Sequence, residues 1–224
     1  MPAAAALFPP EWEGLPAPRF AVHPRPGPRL VAIEGPNGAG QTTLCAARGA
    51  AMSLPVCLGT DEAWFSEPFK VRMIRDADWH ASALFFLSGC FEQTRLCRSR
   101  PEPIILLDRC LWSTLAVQAA TAPARLAQLV GVLTPLAGLV QPPDLTIVLE
   151  ASFSTCTRRI AHKTGAAREL DNLTAEPAFH ARERAFYQWL SRCQPGIVFL
   201  DANQDDVAST TAAAATLIRR ALSC

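Results

Sequence analysis

A chain of 224 residues, half of them hydrophobic, is long enough for one sizeable α/β domain or at most two small ones. Its net charge of +1 gives no broad positive field, so nucleic acid is not an expected partner and any anion site must be local. No apolar run reaches the roughly 18 residues of a membrane helix, and the eight cysteines show no C-x-x-C pair or zinc spacing, so reduced, packing thiols in a cytoplasmic protein are expected.

Residues 1–28 hold eight prolines and no helical or strand period. Proline cannot donate to a ladder, so this stretch is expected as an extended arm whose Phe8, Trp12 and Phe20 could dock on the domain or on a partner. Its opening, MPAAAALFPP, lacks a basic leader and is cut short by prolines, which argues against a signal peptide. From Leu30 onward short apolar runs recur at 30–34, 55–59, 104–108, 146–150 and 197–201. Between them lie helical stretches at roughly 41–52, 78–99, 111–121, 124–140, 153–162, 176–193 and 205–222. Near-continuous apolar strands separated by helices imply a five-stranded parallel sheet covered on both faces. Ligands of such sheets bind beyond the carboxyl ends of the strands, where Asp108 and Glu150 close their runs. No internal repeat occurs.

The stretch EGPNGAGQTT, from Glu34 to Thr43, follows the first strand and opens the first helix. Gly35, Gly40 and Thr42 fit the phosphate loop G-x-x-x-x-G-K-[S/T], and Gln41 stands where that pattern has lysine. Glycines let the backbone turn tightly and aim its N–H groups at phosphate oxygens, and the helix N-terminus adds partial positive charge. The expected phosphate-binding set is Gly35, Asn37, Gly38, Ala39, Gly40, Gln41, Thr42 and Thr43, with the Thr42 hydroxyl placed for Mg²⁺. Glutamine donates a hydrogen bond but carries no charge. Losing one preorganised stabiliser of developing charge costs about 3–4 kcal/mol, or ~10²–10³ in rate, without abolishing binding. Lys70 and Lys163 are the chain's two lysines, so a replacement cation comes from them or from an arginine.

The loop resembles that of transporter ATPases, but arginine follows Asp108 where that family has its catalytic glutamate, and no switch histidine follows. A longer resemblance, over about 30–222, is to the thymidylate kinase family of P-loop nucleoside monophosphate kinases. It is carried by DRCLWSTLAVQ (108–118), FLSGCFEQ (86–93), RRIAHKTG (158–165), and ELDNL with FHARERAFYQWL toward the end, and SEP at 66–68 is similar to a family turn. The resemblance implies a P-loop kinase fold, ATP as donor with Mg²⁺, and transfer of the γ-phosphoryl to a nucleotide-like acceptor phosphate. It leaves the proline-rich arm at 1–28 unexplained, implies a kinase-like domain at 29–224 with a small lid at about 160–175, and admits a homodimer.

By the same resemblance Arg109 holds the acceptor phosphate, Asp108 lies near the transferred group and its Mg²⁺ with Thr42, and Arg159 and Lys163 face the donor phosphates. Gln41, Asp108, Arg109, Arg159 and Lys163 make up the catalytic set. Glu67, Phe86, Cys90 and Gln118 join Arg109 around the acceptor, Phe86 by stacking on its base. Several positions depart from the family: Gln41 replaces lysine, Asn37 an acid near the acceptor sugar, Cys90 a base-reading arginine, Ser66 another arginine and Lys163 a lid arginine. These departures point to a changed substrate. The alternative is a weak or inactive nucleotide-binding protein that acts through a protein partner.

Overall fold

Leu30, Val31, Ala32 and Ile33 are each at most 1 % exposed, and a strand buried on both faces belongs at the centre of a sheet. In the computed structural model, which describes residues 8–15, 27–58, 67–172, 174–204 and 206–222, this strand is β1 (Arg29–Glu34). It lies between β3 (Ile104–Asp108) and β4 (Leu145–Glu150), with β2 (Val56–Leu58) and β5 (Ile197–Asp201) at the edges. The order is β2-β3-β1-β4-β5 and every pairing is parallel. Ile33 pairs with Asp108 and Glu34 with Val148, so Glu34 and Asp108 end neighbouring strands on the same side.

Side chains alternate across the sheet with period two. Leu30, Ala32, Ile105 and Leu107 face a core shared with α3 (Trp79–Arg98), α4 (Leu111–Thr121), α5 (Ala124–Leu133) and α8 (Pro177–Cys193). Val31, Ile33, Leu106 and Ile147 face α1 (Gln41–Met52) and α9 (Val207–Leu222). Three further helices are α2 (Glu67–Arg75), α6 (Phe153–Ala161) and α7 (Gly165–Asn172). Among the described residues no helix is long and apolar enough to cross a membrane.

The helix expected over 124–140 stops at Leu133 and gives way to a 3-10 turn at Thr134–Leu136, because Pro135 cannot donate to the preceding carbonyls. Helices α2 and α7 fall where no helix was expected, and α7 spans about half of the expected lid. The described part of the proline-rich arm is docked on the domain. A 3-10 turn at Pro10–Trp12 inserts Trp12, 2 % exposed, against Phe186 and Trp189 of α8, and its indole N–H donates to the Pro123 carbonyl at 3.1 Å. The Arg192 guanidinium sits 4.6 Å over the Phe8 ring. Phe20 and Ser66, named from the sequence, lie outside the described residues, as do Gly59 at the end of the 55–59 run and Cys224, the last of the eight cysteines.

Candidate active site

The loop after β1 takes its path from two glycines held against backbone. Gly35 has φ +133° and a Cβ there would lie 2.7 Å from the Leu149 carbonyl oxygen; Gly38 has φ +84° and its Cβ would lie 2.6 Å from that of Cys156. Any side chain would displace β4 or α6 from the loop. Gly40 then starts α1 in a left-handed conformation with no side-chain cap, so the helix presents its first N–H groups to the loop's mouth. Thr42 and Thr43 are exposed there.

Gln41 is 4 % exposed and its side chain folds back into the loop. Its amide nitrogen donates to the carbonyls of Gly35 and Pro36. Both amide hydrogens are thus committed to the loop's own backbone, and what remains toward a ligand is an oxygen acceptor.

Behind the loop lies a buried charge cluster. Glu34, 0 % exposed, accepts from the Cys110 N–H at 2.8 Å, the Cys110 thiol at 3.1 Å, the Ser113 hydroxyl and the Tyr187 hydroxyl at 3.0 Å. Burial raises its pKa, while Arg109, Ser113 and Cys110 pull it back. Arg109 follows β3 in a left-handed conformation, φ +68°, fixed by its N–H to the Ile33 carbonyl and by Gln93, whose amide donates to the Arg109 carbonyl at 3.0 Å. Its Nη1 donates to the Gly35 carbonyl and the Ser113 hydroxyl, each at 3.2 Å, and its Nη2 to Asn37 Oδ1 at 2.6 Å. Burial works against its charge, but Tyr187, Glu34, Glu183 and Asp108 more than offset that and raise its pKa. Burial, reinforced by Glu34, holds the Tyr187 phenol and the Cys110 thiol well above their ordinary values. Among the described residues two of the five guanidinium N–H groups remain uncommitted, enough for one bidentate contact with an oxyanion.

The other expected residues lie at different removes from this centre. Asp108 is 8 % exposed beside the loop, and neither its carboxylate nor the Thr42 hydroxyl takes a hydrogen bond among the described residues. Asn37 also reaches Thr174 Oγ1 at 2.9 Å, which ties the loop to the segment between α7 and α8. Arg159 grips the outside of the loop, donating to the Ala39 carbonyl at 3.1 Å and to that of Gln204 at 2.9 Å. Lys163 pairs with Asp171 of α7 at 2.6 Å. Cys90 is buried, and its thiol, pushed up to about 12 by burial, donates to the Phe86 carbonyl within α3. Phe86 is partly buried, edge-on to Phe85 at 5.0 Å. Gln118, 7 % exposed, accepts from Arg125 at 3.0 Å, and Arg125 stacks on Trp79. The side chain of Glu67 lies outside the described residues.

Sequence reasoning missed Glu34, Ser113, Glu183 and Tyr187 as members of this centre. The signal for the last two was available: a carboxyl and a phenol four residues apart fall on one face of α8, among apolar neighbours. Glu183 is 3 % exposed and lines a narrow cleft with Pro36, Asn37, Cys156, Thr174 and His180.

A parallel sheet in the order β2-β3-β1-β4-β5, with the glycine loop at the carboxyl end of its central strand, is the P-loop kinase fold of nucleoside and nucleotide kinases. Among solved structures the chain is similar to thymidylate kinase from Candida albicans, at TM-score 0.70 and 18 % identity, covering 87 % of this chain and 92 % of that one. It is also similar to deoxyadenosine kinase from M. mycoides with bound dATP, at TM-score 0.67 and 15 % identity, covering 85 % and 99 %. The same enzyme with dCMP and dCDP gives TM-score 0.66 at 14 % identity. No protein-family model and no curated protein matches the sequence. At these identities the likeness is one of fold.

Proposed function

We propose that the chain is a nucleotide-dependent phosphotransferase of nucleoside monophosphate kinase type, moving the ATP γ-phosphoryl onto a nucleotide-like acceptor phosphate. The observation that carries this reading is Arg109. A guanidinium held in a left-handed backbone conformation, backed by a buried carboxylate and bonded to the phosphate loop, keeps two N–H groups open. Burying charge in this way costs several kcal/mol per ion before pairing, and a phosphate between two loops is what that arrangement is suited to hold.

In this reading the loop N–H groups and the start of α1 bind the donor phosphates, and Arg109 orients the acceptor phosphate opposite them. Thr42 and Asp108 are the residues that would hold Mg²⁺. Their oxygens are uncommitted, and no cluster of three or more His, Cys, Asp or Glu among the described residues would bind a metal without help from phosphates. The ion's contribution when bound is to neutralise charge on the phosphates. Segment 160–175 serves as the lid, tied to the loop by the Asn37–Thr174 bond. Seven free thiols among the described residues suit a reducing, cytoplasmic setting.

One observation favours a second reading, a nucleotide-binding protein with little or no catalysis: the Gln41 amide is consumed by the loop's own carbonyls. The test is transfer of ³²P from ATP with Mg²⁺ across a panel of mononucleotides. Transfer to any of them, lost in Arg109→Ala, supports the kinase reading. Measurable ATP binding with no transfer gives the second.

A further inference from the structure

Two acids face one base in the buried cluster, and they are furnished very differently. Glu34 takes four donors, from Cys110 twice, Ser113 and Tyr187. Glu183 is 3 % exposed and accepts no hydrogen bond among the described residues. A buried carboxylate without donors is costly, and such a group keeps its proton instead. Glu34 is therefore dressed to carry the negative charge opposite Arg109, and Glu183 to carry a proton.

The groups that face Glu183 come from each element around it: Glu34 at the end of β1, Arg109 after β3, Cys156 on α6, and His180 and Tyr187 on α8 itself. His180 is shifted toward its neutral form by burial. Arg109 is thus the one of these groups that favours an anion at Glu183, and Glu34 already opposes that charge. Burial pushes the Glu183 carboxyl up to about 7, with Arg109 pulling it down and Glu34 pushing it further up. The cleft that Glu183 lines beside Asn37 gives it a path for exchanging a proton with water.

We propose that Glu183 makes anion binding at Arg109 proton-linked. The incoming oxyanion takes the two uncommitted N–H groups of the guanidinium and cancels the positive charge that Glu183 faces. Glu183 then gains one proton from solvent as the site fills. The inference rests on the phosphotransferase reading only for the anion in use, the acceptor phosphate.

Inorganic sulfate is the probe, because it stays a dianion from about pH 6 to 9 and adds no titration of its own. Calorimetric titration of the full chain in buffers of different ionisation enthalpy counts the protons taken up by the unmodified protein. Uptake is expected near zero at about pH 6 and rising toward one per site above about pH 7.5, with affinity falling toward ~10-fold per pH unit. Glu183→Gln copies the protonated side chain, so it should bind sulfate without a linked proton and keep the low-pH affinity throughout. Arg109→Ala should remove the pH-dependent part of binding. Sulfate binding with no proton uptake in the wild type above about pH 7.5, or the wild-type uptake surviving in Glu183→Gln, overturns the proposal. The wild-type count decides even if a variant folds poorly. Linked protons without phosphoryl transfer to any mononucleotide leave the inference standing and remove the kinase reading; transfer without linked protons does the reverse.

Discussion

Replacing Gln41 by lysine puts an ammonium where the loop now holds a neutral amide. The Gln41 amide and Arg109 Nη1 donate to the same Gly35 carbonyl oxygen. Two donors sharing one acceptor at ordinary hydrogen-bond length are at most ~6 Å apart. Two positive charges at ~6 Å repel by about 2.8 kcal/mol at an effective dielectric of about 20. Ligand-free Gln41→Lys should therefore lose about 2–3 kcal/mol of stability, which lowers its melting temperature by roughly 5–10 °C in a chain of this size. A bound phosphate reverses the sign, because both cations then face it. ATP should raise the melting temperature of Gln41→Lys more than that of the wild type. Single-turnover transfer should rise ~10-fold or more, toward the ~10²–10³ that one preorganised charge contributes. The assay pairs ligand-free and ATP-bound melting with rapid-quench transfer. If ligand-free Gln41→Lys melts with the wild type, the shared-carbonyl geometry is refuted. Unchanged transfer in a folded variant refutes the idea that a missing charge slows this loop.

Arg109→Ala leaves Glu34 buried without its counter-charge, so it should cost about 3–5 kcal/mol in urea denaturation, and sulfate titration should show the acceptor-side anion lost. Between about pH 4.5 and 7 the folded chain holds a proton at Glu183 that the unfolded chain has released. Stability should accordingly fall as pH rises through that window, by about 3 kcal/mol in all, and Glu183→Gln should flatten the slope in denaturation series across pH. Trp12→Ala empties a fully enclosed site between α5 and α8 and should cost about 3–5 kcal/mol, read as a lower melting temperature.

The sheet was the most legible part of the molecule. Runs such as LVAI and IILL bury both faces, and no helix or loop of that length explains five of them with helical stretches between. The loop was legible because its glycines are required by backbone contacts at Gly35 and Gly38. What escaped reading depends on contacts between residues far apart in the chain. Glu34 looked like part of the loop motif, and the charge it holds becomes visible only when Tyr187, 153 positions later, delivers its hydroxyl. The left-handed backbone of Arg109 leaves no mark in sequence, since arginine has no preference for it. Helix α2 is only nine residues long and α7 only eight, so neither gives a periodic stretch long enough to stand out in the sequence.

Trp12 bears on where this chain is cut for study. The residue fills a slot whose far wall is α8, and α8 turns Glu183 and Tyr187 toward the buried charge cluster around Glu34 and Arg109. A fragment that begins at β1, a natural choice from the proline content of what precedes it, would expose Phe186 and Trp189 to water. It would also release the helix that supplies one of Glu34's four donors. Such a fragment would tend to self-associate through the open slot. Its silence in a transfer assay would reflect a slackened α8 as much as the missing lysine, so only chains that keep residues 8–15 make that assay a test of the loop.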